Sequence, residues 1–245
     1  MSKPSATGAG PPPQRHCYDD IWRETYGDMQ DVGPVHRHMR RLLARSLRSL
    51  EYRSVLDVGC GAGHNLSLLT EDRPIDRVTG VDVSETALGL AQREHKGDFR
   101  LLDIECERLP GTWDLVFSSL VLEHLPDDRA ALANMASMAR RHVVVSTIAG
   151  DFERHRAWEE QMGHVRNYRR GELEARMEDA GLRVRRASYW GFPFYSPIAR
   201  TLQNRMTSEP EYNRRTRALA ALMHAIYYLN SSRRGDLLIV VADAP

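Results

Sequence analysis

The first chemical signal is an acid followed by alternating glycines. In Val55-Leu56-Asp57-Val58-Gly59-Cys60-Gly61-Ala62-Gly63-His64-Asn65, an apolar run passes through Asp57 into a sharp turn, and Asn65-Leu66-Ser67-Leu68-Leu69 opens a helix. Glycines accept positive φ without a Cβ penalty and let backbone pass close beneath a ligand. A helix start beyond them is expected to present N–H groups to whatever sits above. The dinucleotide fingerprint needs a third glycine where His64 stands, and no Gly-Lys-Ser/Thr follows the turn. Both of those nucleotide readings fail. Two later apolar segments also end in acids, at Asp82 and Asp103, and a further one ends at Ser118. Acids at successive strand ends are costly unless a ligand or N–H donors engage them. A carboxylate at Asp82 can take both hydroxyls of a ribose bidentately, and one at Asp103 can accept from an amine on a base. Asp57 is expected to hold the glycine turn, with an indirect pull on a ligand ammonium.

Imidazoles supply the second signal. His124 lies just past the segment that ends at Ser118 and is the first candidate for a group that removes a proton near neutral pH. A role as pocket wall stays open for it. His164 and Tyr168 are further candidates, with loop hydrogen bonding as the alternative. His36 and His38 are close enough for a shared metal, but no third ligand follows within reach, so no metal site is assigned.

The elements that must position these groups alternate in type. Strands are expected at Val55–Val58, Arg77–Asp82, Phe99–Leu102, Trp113–Ser118, His142–Thr147, Leu182–Arg185 and Leu237–Val241. Between them lie helical patterns, one capped by Ser84, one introduced by Pro126-Asp127-Asp128 and one from Gly171 to Gly181. Fully apolar strands alternating with helices mean a parallel, doubly wound α/β sheet. In such sheets ligands bind outside the carboxyl ends of the strands, which is where Asp57, Asp82, Asp103 and Ser118 fall. Residues 1–15 are small and Pro-rich and read as a disordered tail. Residues 16–245 read as one domain, with a helical cap over 16–50 and a helical insert over 195–230. Trp22, Tyr26 and His36 could lid a ligand or pack as aromatic core. Trp190-Gly191-Phe192-Pro193-Phe194-Tyr195, Tyr227 and Tyr228 suit an acceptor lid, packing of the insert, or the face of a homodimer.

Composition narrows the partners. The chain has 245 residues, 42% of them hydrophobic, and a net charge of +1. That suits one sizeable domain and offers no electrostatic footprint for nucleic acid. No apolar run reaches the ~18 residues of a membrane helix, and no signal segment opens the chain, so a cytoplasmic protein is expected. Cys17, Cys60 and Cys106 have no C-x-x-C spacing.

Val55–Gly63, Val81-Asp82-Val83-Ser84, Leu102-Asp103-Ile104, Trp113-Asp114-Leu115-Val116 and Leu122-Glu123-His124-Leu125-Pro126 follow one another in the order and spacing of the class I S-adenosylmethionine (SAM) methyltransferases, which this sequence resembles over about Arg53–Thr147. Gly163-His164-Val165-Arg166-Asn167-Tyr168, with Gly171-Glu172-Leu173 and Ala180-Gly181-Leu182, is similar to a later segment of small-molecule members. The resemblance implies a seven-stranded Rossmann-like sheet of order 3-2-1-4-5-7-6 with the seventh strand antiparallel. It implies a SAM site, yielding S-adenosylhomocysteine, on Asp57, Gly59, Cys60, Gly61, Gly63, Asp82, Val83, Asp103, Ile104 and Ser118. It further implies methyl transfer to O or N of a small, apolar or aromatic acceptor, as in bacterial specialised metabolism. Glu-His-Leu recurs in relatives with unrelated substrates, which keeps the wall role open for His124. Two other readings stand beside this one. RNA or protein could be the acceptor, drawn by Arg166, Arg169 and Arg170, or the chain could bind SAM without catalysis as a regulatory partner.

Overall fold

Strand-forming runs of Val, Leu and Ile build the centre of the molecule. The computed structural model describes residues 33–203 and 214–245. The tail over 1–15, Trp22 and Tyr26 of the cap, and residues 204–213 of the insert lie outside them. Seven strands form one sheet: β1 (Ser54–Val58), β2 (Arg77–Asp82), β3 (Asp98–Leu101), β4 (Trp113–Ser119), β5 (Ala139–Ile148), β6 (Arg183–Trp190) and β7 (Leu237–Asp243). Their order is β3-β2-β1-β4-β5-β7-β6. The first five pair in parallel, whereas β7 runs antiparallel to both β5 and β6. This is the expected doubly wound topology. The order reverses between β1 and β4, where a crevice must open because their crossover helices leave on opposite faces. β6 is longer than the expected Leu182–Arg185 and takes in Trp190.

Both faces of the sheet are covered, which is why the strands can be apolar throughout. On one face lie α1 (Pro34–Leu47), α2 (Leu66–Thr70), α3 (Glu85–Glu94) and, later in the chain, the insert helix. Their Leu43, Leu47, Leu69 and Ala91 pack with Val55, Leu115, Phe117 and Val144 from the strands. On the other, α4 (Asp128–Met138) and α6 (Glu172–Asp179) bury Leu132, Met135, Leu173 and Met177 against Leu56, Val116, Val143 and Val240. The short helix α5 (Arg156–Gln161) lies between them in sequence, and α7 (Arg200–Gln203) and α8 (Arg214–Tyr227) form the insert. The Ser84 hydroxyl accepts the Ala87 N–H at the start of α3 (3.1 Å) and Asp127 accepts the Ala130 N–H at the start of α4 (3.0 Å). Both caps satisfy N–H groups that a helix start leaves unpaired.

Cap and insert meet. His38 of α1 lies 2.7 Å through Nε2 from the His224 carbonyl, which requires Nε2–H to donate. Its ring stacks on Trp190 at 5.3 Å and meets Tyr227 and Tyr228 edge-on. Trp190, Tyr195 and Tyr227 are buried and in mutual ring contact at 5.5–5.8 Å. These aromatic rings pack the insert onto the sheet and the cap, while Phe192 and Tyr228 remain exposed.

A second anchor lies under α4. The buried Asp128 carboxylate accepts the Tyr168 hydroxyl at 2.5 Å and pairs with Arg166 and Arg176. Burial pushes its carboxyl up, but the Tyr168 hydrogen bond and the Arg166 charge outweigh that and hold it below the usual carboxylate range. Asp128→Asn should therefore destabilise the fold by on the order of 3 kcal/mol, since both guanidinium groups lose a buried partner. Because the folded value is depressed, the contribution is present above the unfolded carboxylate range and disappears as pH falls through the folded value. Thermal melts of wild type and variant should differ at neutral pH and converge in acid.

Candidate functional site

The turn after β1 is held by β2, not by its own helix. Gly59 and Cys60 both donate N–H to the Val81 carbonyl, at 2.8 and 3.0 Å, and Gly61 donates to Asp82 Oδ2 at 2.8 Å. Gly59, Gly61 and Gly63 all have positive φ (+70°, +54° and +89°), a region that favours glycine. A Cβ on Gly59 would stand 2.2 Å from a Val121 methyl, so the turn rests directly on the chain leaving β4. The N–H groups expected to face a ligand are partly used within the turn, Gly63 on the Cys60 carbonyl and Leu66 on the Gly63 carbonyl. The helix begins at Leu66 because two tight turns come first.

The acids gather at one edge as the spacing predicts. Asp57 is 1% exposed, and its Oδ2 has no hydrogen-bond partner among the described residues. Burial first, and the Asp82 charge second, push its carboxyl up to about 8. Asp82 ends β2 half-buried, with Oδ1 accepting the Ser84 N–H at 2.9 Å. Asp103 follows β3, also half-buried, and accepts the Glu105 N–H at 3.1 Å. Each acid thus shapes its own turn and still faces the edge. Val83 is half-buried beside Asp82, whereas Ile104 is buried and joins the core on the α4 face. Ser118 is buried opposite Val58 in the ladder, and its hydroxyl has no partner among the described residues. Cys60 acts through its backbone: its thiol packs over Gly80 and is pushed up by burial, then by Asp57 and Asp82.

Past β4 the chain bends sharply. Leu120 takes φ +56°, unusual for a residue with a side chain, and its N–H donates to the Ser146 carbonyl at 2.8 Å. Such backbone strain clusters where a structure presents functional groups. Here it turns the Leu122–His124 3₁₀ segment toward β5 and the loop after α5. Glu123 is fully buried and accepts the Thr147 hydroxyl at 2.7 Å. His124 lies 8% exposed with Nδ1 3.2 Å from the Gly163 carbonyl. Burial, then His164, lower its imidazole to about 3, so it stays neutral at physiological pH. The His164 ring stands 4.6 Å from that of His124, nearly perpendicular, and its Nδ1 lies 2.5 Å from Glu159 Oε2. Burial raises Glu159, but the His164 hydrogen bond and the Arg200 charge prevail and hold it at about 2.

His124 and His164, separate candidates in the sequence, are neighbours here, and the sequence did not single out Glu123, Glu159 or Arg200, which lie beside them. Glu123 stood in the quoted motif as a spacer. Glu159 reads as an ordinary helical charge, and only its burial distinguishes it. Tyr168 lies elsewhere: its hydroxyl is buried on Asp128, which pushes it well above the usual phenol range after burial itself. His36 of the cap is half-buried and lowered to about 4 by burial, then by the Arg40 and His64 charges, which brings the start of α1 beside the glycine turn.

A family profile described as a methyltransferase domain matches residues 33–187, more than half of the chain. The chain belongs to the class I SAM-dependent methyltransferases. Among curated relatives of this methyltransferase domain, the ubiquinone biosynthesis O-methyltransferase of Dechloromonas aromatica is 36% identical over 101 residues, 38% of this chain and 42% of that protein. The trans-aconitate 2-methyltransferase of Deinococcus radiodurans is 32% identical over 96 residues, covering 38% and 37%. The chain spans about two fifths of the length of such relatives. The fold is shared with N-methyltransferase NodS of Bradyrhizobium japonicum in complex with S-adenosyl-L-homocysteine, at a TM-score of 0.62, 21% identity and 93% and 98% coverage. It is also shared with geranyl diphosphate methyltransferase at 0.66, 13%, 95% and 99%. Among the described residues of the methyltransferase no helix is long and apolar enough to cross a membrane.

The contact between turn and β4 exit gives a direct test. Gly59→Ala should cost about 1–2 kcal/mol for the left-handed backbone and about 1–3 kcal/mol more for overpacking on Val121. Adding Val121→Ala should recover the second part alone. Chemical denaturation of the two single variants and the double variant measures this, and strict additivity would place Val121 away from the turn.

Proposed function

We propose that the chain transfers a methyl group from SAM to an oxygen or nitrogen of a small acceptor, releasing S-adenosylhomocysteine. The observation that carries this reading is the buried, unpartnered Asp57 oxygen beneath the glycine turn, with Asp82 and Asp103 at the same strand edge. A ligand that brings ribose hydroxyls, a base amine and a cationic amino acid matches that donor and acceptor set, so the residues present fit the cofactor. Asp82 holds the ribose, Asp103 with Val83 and Ile104 frames the base, and the Gly59–Gly63 turn with Asp57 and Ser118 holds the methionine part. Bound SAM supplies a methyl group on a sulfonium, activated for in-line displacement.

What the protein adds is alignment, worth several kcal/mol when reacting atoms are held in line. Val121 packs on Gly59 and His124 follows three positions on, which supports an imidazole pair on the acceptor side of the turn. His124 and His164 orient a polar acceptor atom and exclude bulk water from it. Tyr168 acts as a positioning residue: its backbone bonds Ile148 and Gly150 at 3.0 Å each and its hydroxyl anchors on Asp128, which fixes the Gly163–Tyr168 segment. The relatives named for ubiquinone biosynthesis and trans-aconitate support a small organic acceptor.

Calorimetry tests the cofactor. SAM and S-adenosylhomocysteine should bind and NAD should not. Asp82→Ala removes charged hydrogen bonds worth about 1.5–3 kcal/mol, so SAM should weaken by roughly 10- to 150-fold. With Asp57 raised to about 8 in the free protein, a cationic ligand favours its ionised form, and SAM affinity should climb as pH rises from about 6 to 8. Asp57→Asn should flatten that slope. NAD binding with no response to SAM would end the reading.

A further inference from the structure

The Glu123, His124 and His164 cluster has a use that alignment alone does not explain. One ligand-type atom from each lies within 4.8 Å of the others. Glu123 is fully buried with Oε1 unpartnered among the described residues, and its other oxygen accepts the Thr147 hydroxyl. A buried carboxylate with an open oxygen is costly without a cation beside it. Arg200, which reaches Glu159 behind His164, is taken up by Glu159 and Asp236.

The two imidazoles are held in matching tautomers. The Gly163 carbonyl can only accept, so His124 Nδ1 carries the proton. Glu159 is fixed as a carboxylate by Arg200 and by the Asn167 amide, so His164 Nδ1 donates as well. In both rings Nε2 is then the ligating position. An imidazole whose Nδ1–H ends on a carboxylate or carbonyl is the arrangement that orients metal-bound histidines. Leu120 and the turn after β4 aim Glu123 and His124 together, and the Glu159–Arg200–Asp236 chain locks the third ligand from behind.

We propose that Glu123, His124 and His164 bind one divalent transition-metal ion, of the zinc, cobalt, iron or manganese type. Two nitrogens and one carboxylate select such ions over magnesium or calcium, which prefer all-oxygen shells. Three protein ligands leave coordination positions open. An acceptor hydroxyl entering there forms a metal–oxygen bond as its O–H proton leaves to solvent, so the ion holds the acceptor as its oxyanion. The site itself stands on the cluster's geometry, and only this role for the acceptor rests on the methyl-transfer reading.

The test uses the untagged, full chain, stripped with a chelator and dialysed. Cobalt(II) should bind at one per chain with visible ligand-field absorption, and should raise the melting temperature. Glu123→Gln and His164→Gln should each weaken cobalt at least tenfold, and Thr147→Val, which frees the Glu123 carboxylate from its support, by about 10- to 100-fold. SAM calorimetry on the same preparations reports whether each variant is folded. SAM binding that persists while cobalt binding is lost supports the proposal. Wild-type chain that binds SAM but gives no cobalt spectrum and no thermal shift overturns it, as does cobalt affinity unchanged in Glu123→Gln. Cobalt binding in a chain that fails to bind SAM would keep the metal site and remove the methyl-transfer reading.

Discussion

Three N–H groups of the turn after β1 end on the last two residues of β2, on the Val81 carbonyl and the Asp82 carboxylate. This lashing sets the height of the turn above the sheet edge. It also allows the backbone at Gly59 to press onto Val121, so that the path of the chain beyond β4 is referenced to the same edge. Remove the Asp82 carboxylate and two turns lose an acceptor together, because Ser84 donates to its other oxygen. The two turns at this edge therefore share one side chain.

Much of this was legible in the chain before folding. Apolar runs with acids at their ends place Asp57, Asp82 and Asp103 at strand termini, and Ser84 and Asp127 announce the helices they cap. These signals are local, so spacing alone suffices. The imidazole cluster was legible only by halves. His124 is tied to β4 by sequence, but Glu159 and Arg200 reach it from α5 and α7, and nothing in the spacing of those segments foretells a shared partner. For Tyr168 the sequence left a reactive group and a hydrogen-bonding one open, and its burial on Asp128 depends on α4 arriving beneath it. The aromatic run from Trp190 was equally ambiguous, since a lid and a packing cluster have the same composition. His38 stacks on Trp190 from the cap, so packing is one role that this cluster fills.

Charge burial follows one rule across the molecule. Asp128 and Glu159 sit deep but with guanidinium groups against them, and both stay ionised. Asp57 and Glu123 sit equally deep with no guanidinium against them among the described residues, and burial drives both upward. The first kind is paired with guanidinium groups, and each carboxylate of the second kind keeps an oxygen without a partner among the described residues.

The position of β7 has a consequence for the order of assembly. Among the described residues β6 hydrogen-bonds in the sheet only through β7, and β7 also caps the open side of β5. Yet β7 is made last, after the helix that clamps α1 through His38. During synthesis β1 to β5 can pair as soon as they emerge, while β6 waits as an unpaired strand and the cap waits for its clamp. Contacts of such long sequence separation carry a loop-closure cost before they return any stability. Pairing β7 with β5 spans the longest sequence separation in the sheet, and it carries β6 into the sheet with it.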